Sequence, residues 1–326
     1  MSVLVTGGAG YIGSVTVEAL LAAGEDVVVL DDLSNGHREA IDCRVPFYEG
    51  DTGDGETLGN IAATHGIKQV VHFAGFISVP ESVRAPLRYF ENNMGKMTKM
   101  LSVLQARGVR NVVFSSTAAV YGEPEYVPID EAHPKKPANP YGLSKYFAEQ
   151  LLDWVDSAHG ITHVALRYFN ASGATATRGE AHRPEGHLIP LVLQVPLGKR
   201  PHVDIYGVDY PTPDGTCVRD YIHVADLADA HVKALRYLRE GGPSQKINLG
   251  NGKGFSVREI VAAAEKITGL KIPVREEARR DGDPSVLIAS SEKARAILGW
   301  TPRYPGLEDI IRSAWEWHRT NPGGYI

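Results

Sequence analysis

Tyr141 and Lys145, four residues apart in NPYGLSKYFAEQ, are of types that could move a proton. A phenol stays protonated until about pH 10 and is a poor base by itself. A neighbouring ammonium favours the phenolate and draws that pKa toward neutrality, which would make the phenol a general base. One helical turn separates the two, so they share a helix face. The spacing equally suits two long side chains lying along a surface helix, and a bare YxxxK arises by chance. Thr117 ends the apolar run VVFSST, where its hydroxyl could reach the group on which Tyr141 acts. Ser115 and Ser116 read instead as strand-end residues bonded to backbone.

A second constellation stands near the N-terminus. TGGAGYIG sets Gly7, Gly10 and Gly13 in a GxxGxxG spacing at a strand-to-helix turn. Glycine is required where backbone approaches a pyrophosphate too closely to leave room for Cβ. Asp31 ends DVVVLDD, at the distance where an acid binds adenosine ribose hydroxyls. A carboxylate there repels a ribose phosphate and no arginine follows immediately, so NAD is expected over NADP. EGDTGD, with Asp51 and Thr52, and HFAG, with Phe73, Ala74 and Gly75, end later strands where adenine and ribose contacts would lie.

These residues need a frame, and the first half of the chain supplies one. Short apolar runs (SVLVTGG, DVVVLDD, KQVVHFAG, RNVVFSST, HVALRYFN) alternate with helical patterns, among them Ser14 to Ala23 and Leu87 to Arg107. Continuous Val/Ile/Leu runs between amphipathic helices imply an α/β fold with a doubly wound, Rossmann-type parallel sheet covered on both faces. The helix opening at Tyr141 has Asn139 as cap and Pro140 in its first turn. The alternation stops over residues 171–221, which are rich in Gly, Pro, His and charge. Beyond it come KINLG, a helix introduced by the capping box Ser256/Glu259, and further strands in IPVREE and SVLIAS. The division expected is a nucleotide-binding domain over residues 1–172, with segments near 219–250 returning to it. A smaller mixed α/β substrate lobe takes residues 173–326, and the site is expected in the cleft between them.

The composition excludes several functions. The formal net charge is −5, from 34 Lys and Arg against 39 Asp and Glu, and the basic residues are dispersed, so no nucleic-acid surface is expected. No apolar run has membrane-spanning length and no leader is evident before the opening strand, which leads us to expect a cytoplasmic protein. Cys43 and Cys217 stand far apart and read as reduced thiols. The histidines form no HxxxH or His/Cys cluster, and no metal is assigned.

The glycine turn, the hydroxyl before VYG and YxxxK together resemble the extended short-chain dehydrogenase/reductase family. The longer segments YGVDYPTPDGTCVRDYIHV, RYFNASGA, RRDGDP and WEWHRTNPGGY are similar to its UDP-glucose (UDP-galactose) 4-epimerases, and the likeness runs almost from residue 2 to residue 325. The resemblance implies an isomerase that inverts C4 of UDP-galactose or UDP-glucose through a 4-keto sugar, with NAD kept bound. It implies Tyr141 as base, Thr117 on the 4-oxygen and Lys145 on the nicotinamide ribose. It further implies NAD contacts from Tyr11, Ile12, Asp31, Asp32, Asp51, Thr52, Phe73, Ala74, Gly75, Asn92 and Phe169. The UDP-sugar would be held by Asn170, His187, Leu188, Tyr206, Arg219, Arg280 and Asp283. Two arginines match a diphosphate and a carboxylate can accept from ribose hydroxyls.

Ile77 stands where many relatives have Lys, His187 where Asn is frequent, and Leu287 where residue size is thought to gate N-acetylated sugars, leaving UDP-GlcNAc and UDP-GalNAc epimerisation as an alternative activity. A nucleotide-sugar dehydratase would carry Asp and Glu at Ala118 and Ala119, and a UDP-xylose-type decarboxylase would want an acid at Ala119. A non-catalytic NAD-binding regulator would be expected to lack the tyrosine, lysine or hydroxyl. The family commonly dimerises through helices from about Asn92 and Tyr141, so a homodimer is the implied assembly.

Overall fold

The computed structural model describes residues 2–280 and 282–325; Asp281, within the RRDGDP segment, lies outside them. Thirteen strands occur among the described residues. Six of them, β1 (Ser2–Thr6), β2 (Asp26–Asp31), β3 (Phe47–Glu49), β4 (Gln69–His72), β5 (Asn111–Thr117) and β6 (Thr162–Tyr168), alternate with helices. After β7 (Asn170–Ser172), β8 (Val203–Tyr206) and β9 (Val218–His223), the chain returns as β10 (Gln245–Leu249). The large sheet has the order β3-β2-β1-β4-β5-β6-β10, and every pairing in it is parallel. The first six strands follow the dinucleotide-binding order, whose reversal beside β1 opens a crevice at the strands' carboxyl ends.

Alternate side chains of each strand feed opposite cores, which is why the runs are apolar without interruption. Val3, Val5, Val27 and Val29 pack with Val17 and Leu20 of the helix Tyr11–Ala22 and with Leu227, Ala234 and Leu238 of the helix Val224–Arg239. Leu4, Val28, Val70, Val112 and Phe114 pack on the other face, against the helices Gly55–His65, Lys96–Ala106 and Pro140–His159. The expected helix over Leu87–Arg107 is interrupted by a π-type turn, Glu91–Gly95, where Asn93 turns inward. Its Oδ1 accepts from Phe76 N at 2.8 Å and its Nδ2 donates to Ser144 Oγ at 3.1 Å.

A third core, built from Ile189, Val203, Ile260, Ile272, Ile310 and Ala314 among others, lies in the C-terminal part. β8 pairs in parallel with β12 (Val274–Glu277). β9 is the hub of a small sheet, bonded to β7, to β11 (Gly254–Ser256) and to β13 (Val286–Leu287). β9 runs directly into the helix Val224–Arg239 that covers the large sheet. Arg219 at its start is therefore fixed relative to the nucleotide crevice. Ser256 and Glu259 form the capping box expected of them.

Candidate functional site

The carboxyl ends of β1, β2, β4, β5 and β6 open into one cleft of about 620 Å³. At its nucleotide end, Gly7 has φ +71°, and a Cβ there would stand 2.5 Å from Ala74 N. A Cβ on Gly13 would stand 2.2 Å from Gly7 O. Those two glycines are required by the turn itself. Gly10 is different, because its nearest neighbour to an added Cβ is 3.4 Å away. Gly10 begins the helix Tyr11–Ala22 with no side-chain cap and no acid in the first turn. That leaves first-turn N–H groups and the positive end of the helix dipole for an anion. Asp31 Oδ2 accepts from Ala9 N at 2.8 Å and Oδ1 from Leu33 N at 2.9 Å, while burial pushes its carboxyl above the ordinary range. Each oxygen keeps a lone pair for a hydroxyl. An uncapped glycine-lined helix end beside a buried acceptor fits a dinucleotide's pyrophosphate and ribose.

At the other end, Asn139 Oδ1 accepts from Gly142 N at 2.8 Å and starts the helix that carries Tyr141 and Lys145. A Cβ on Gly142 would lie 2.5 Å from Ala119 O, so the helix's first turn rests directly on the turn that follows Thr117. Thr117 Oγ1 accepts from Ala119 N at 3.1 Å. Lys145 Nζ donates to Ser115 O at 2.9 Å and stands 4.9 Å from the Phe114 ring centre. The acidity differs from the sequence expectation. Burial raises the Tyr141 phenol, and a hydrogen bond from Thr117 is what lowers it. Burial also depresses Lys145 to about 8, because the ammonium has been withdrawn from water and meets a carbonyl rather than a carboxylate. In the protein alone the lysine does not bring the phenol toward neutrality.

Beneath these groups Glu149 and Arg167, both fully buried, form a bidentate ion pair, with Arg167 Nε 2.9 Å from Glu149 Oε1. Ser116 Oγ donates to the same Glu149 oxygen at 2.5 Å, so its side chain serves this pair and not the backbone. Arg167 Nη1 donates to Tyr121 OH at 2.8 Å, and that hydroxyl donates to Asn248 Oδ1 at 2.6 Å. The network ties the Tyr141 helix to β5, β6 and β10. An arginine inside the apolar run HVALRYF was the sequence signal for it.

The structure gathers most of the expected residues along this cleft: Gly7, Gly10, Tyr11, Ile12, Gly13, Asp31, Asp32, Thr52, Phe73, Ala74, Gly75, Asn92, Thr117, Tyr141, Lys145 and Phe169 all line it. Asp51 does not stand in that wall; its carboxylate is taken by Lys96 Nζ and by Gly53 N at 2.6 Å. Asn170, His187, Arg219 and Asp283 also line an adjoining cavity of about 420 Å³, together with Leu188, Tyr206 and Arg280. Arg219 is paired with Asp283, and the Arg280 guanidinium lies 3.8 Å over the Tyr206 ring. Leu287 and Phe169 line the first cavity and pack on the cluster of Val120, Tyr121 and Ile129, and Ile77, 43% exposed, presents a hydrocarbon wall. Glu180 and His182, which also line the cleft, went unremarked in the sequence; GEAHRPEGH, with acids and histidines interleaved, was the available signal.

A model of the NAD dependent epimerase/dehydratase family matches residues 3–250. A UDP-glucose 4-epimerase of Lacticaseibacillus casei is 54% identical over 327 residues, covering 100% of this chain and 99% of that protein. The chain belongs to this epimerase family. Among solved structures, UDP-glucose 4-epimerase from Brucella ovis in complex with NAD superposes with a TM-score of 0.94 at 45% identity, covering 96% of this chain and 97% of that one. The Stenotrophomonas maltophila enzyme with bound NAD and formylated UDP-arabinopyranose gives 0.96 at 41% identity, with 99% of each chain covered. The family's description spans epimerases and dehydratases. In the turn after Thr117, Ala118 and Ala119 present only methyl groups to the cleft, and neither can carry a proton there.

Proposed function

We propose that this protein interconverts UDP-galactose and UDP-glucose by reversible, NAD-dependent epimerisation at C4 through a transient 4-keto sugar. The observation that carries the proposal is the convergence of Tyr141, Thr117 and Lys145 on one wall of a cleft running from the glycine turn to Arg219 and Asp283. NAD would be held by Gly7, Gly10, Tyr11, Ile12 and Gly13 at the helix end and by Asp31 at the ribose, with Asp32, Thr52, Phe73, Ala74, Gly75, Asn92 and Phe169 around it. Bound NAD supplies a reversible hydride acceptor and a positive ring that favours phenolate. Tyr141 takes the proton of the sugar 4-hydroxyl and returns it. Thr117 donates to the phenolate and holds the 4-oxygen. Lys145 as ammonium binds the nicotinamide ribose, and burial of Lys145 and Thr117 keeps bulk water from their side of the proton in transit. Arg219 and Arg280 hold the diphosphate, Asp283 the uridine ribose, and Asn170, His187, Leu188 and Tyr206 the remainder.

In this reading residues 1–172 and the returning segments form the NAD domain and 173–326 the UDP-sugar lobe. A homodimer is supported by the exposed apolar side chains Val83, Leu87, Phe147 and Trp154 on the neighbouring helices Val79–Arg84, Pro86–Phe90 and Pro140–His159. Trp154→Glu with Leu87→Glu should give a monomer by light scattering, and an unchanged mass would refute that face. Among the described residues no helix is long and apolar enough to cross a membrane, in keeping with the cytoplasmic reading. The deciding assay incubates purified protein with UDP-galactose, without added NAD, and follows UDP-glucose. Absence of conversion even after NAD is supplied would overturn the reading and favour a non-catalytic regulator. Parallel incubations with UDP-GlcNAc and UDP-GalNAc measure what Leu287 admits.

A further inference from the structure

The loop from Gly179 to His187 crosses the mouth of the cleft and carries Glu180, His182, Glu185 and His187, whose ligand atoms all lie within 4.8 Å of one another. Glu180 Oε1 is 3.0 Å from His182 Nδ1 and 2.6 Å from His187 Nδ1. Glu185 Oε1 is 3.2 Å from the same His187 nitrogen and accepts from Gly186 N and His187 N, both at 2.8 Å. The two carboxylates are nearly buried, with side-chain exposures of 5% and 8%. Among the described residues Glu180 forms ion pairs with imidazoles alone.

Two buried carboxylates need two positive charges. Two protonated imidazoles would supply them, but the His182 and His187 rings, tilted at 47° with centres 5.3 Å apart, would then be two cations repelling each other. One divalent cation in place of the two protons balances the same charge with neutral imidazoles. Four donor atoms gathered within 4.8 Å of one another are close enough to share one central ion. A tetrahedral site with metal–ligand bonds near 2.1 Å has ligand–ligand edges of about 3.4 Å. The contacts of 2.6 to 3.2 Å would therefore have to spread by less than about 1 Å, and the wider pairs, all within 4.8 Å, would have to draw in by no more than about 1.4 Å. Two nitrogens with two carboxylate oxygens suit a borderline metal, whereas calcium and magnesium take all-oxygen sets.

We propose that Glu180, His182, Glu185 and His187 form a four-ligand structural site for a zinc-class divalent cation. The four side chains complete a tetrahedron, so the ion has no open position and its role is to fix the loop. That loop is otherwise tethered by His37 Nε2 to Ala181 O at 3.0 Å, by Tyr325 OH to Gly179, and by Arg183 Nη2 to Gly323 O at 2.7 Å. Coordination through Nδ1 leaves His187 Nε2–H as a fixed donor at the cleft, compatible with a substrate contact. The site does not depend on the epimerase reading.

The test strips the full-length protein with a chelator and titrates it with Co²⁺, reading the visible bands of four-coordinate cobalt and their loss on adding Zn²⁺. One ion per chain is expected, with Zn²⁺ raising the melting temperature. His182→Asn and Glu185→Gln should each weaken Co²⁺ binding by about 100-fold and abolish the thermal shift. His202→Asn, at a histidine beside Asp204 elsewhere, should leave both unchanged. Absence of saturable binding by the wild-type chain overturns the proposal without reference to any variant. So does binding that survives both ligand substitutions.

Discussion

Replacing Thr117 by valine removes one hydroxyl while keeping the branched shape in a nearly buried position. Two interactions are lost: the donor that lowers the Tyr141 phenol and the acceptor of Ala119 N. A hydrogen bond to a charged group contributes about 1.5–3 kcal/mol. Losing it raises the phenol pKa further. If the same bond stabilises the phenolate during proton transfer, kcat falls by about 10- to 150-fold. The sign follows from the role: activity requires phenolate, so a higher pKa moves the acid limb of the rate profile to higher pH. The assay is the initial rate of UDP-glucose formation from UDP-galactose across the titration of Tyr141, for wild type, Thr117→Val and Thr117→Ser. Serine keeps the hydroxyl and should recover most of the rate with the limb near its original place. Equal kcat and an unmoved limb in the valine variant would refute the reasoning, and the base would then owe its acidity to something other than Thr117.

Tyr141→Phe should keep its NAD content and UDP binding while losing about 10²- to 10⁴-fold in kcat, measured by cofactor extraction and turnover. Gly13→Ala should lower the melting temperature, because its Cβ would press on the Gly7 carbonyl. Gly10→Ala should leave melting of the cofactor-free protein almost unchanged yet lose NAD during gel filtration, since only the ligand's space is invaded. Glu149→Gln leaves the Arg167 charge uncompensated in the core. It should cost about 3–5 kcal/mol in denaturant unfolding, and an unchanged midpoint would show the pair to be dispensable.

The doubly wound half was legible because each buried strand must be apolar on both faces and each helix on one. Val3/Leu4 and Val28/Val29 carry that rule in adjacent residues. The interruption at Glu91–Gly95 was not legible, because it depends on where the Asn93 side chain finds Phe76 and Ser144 across the fold. Acidity was the least legible property. YxxxK spacing reports that two groups share a helix face, but desolvation depends on what surrounds them, and burial outweighs proximity at Tyr141. Asp51 shows the same limit, since nothing in EGDTGD reveals that Lys96 Nζ pairs with its carboxylate. The Glu180–His187 cluster arises from a bend that brings four positions together without a helical or strand period.

The contact of Gly142 with Ala119 has a stereochemical consequence. Because the helix turn is seated directly on the turn after the strand end, the phenol and the hydroxyl form one jaw with a single handedness. A jaw of one hand can serve both epimers only if the sugar presents each of its faces in turn. The molecular freedom behind the inversion must then reside in the ligand, as a swivel of the hexose about its diphosphate link. Recognition falls to the nucleotide, and the hexose pocket must be roomy rather than tight. Narrowing it with larger side chains would sacrifice inversion before it sacrificed binding.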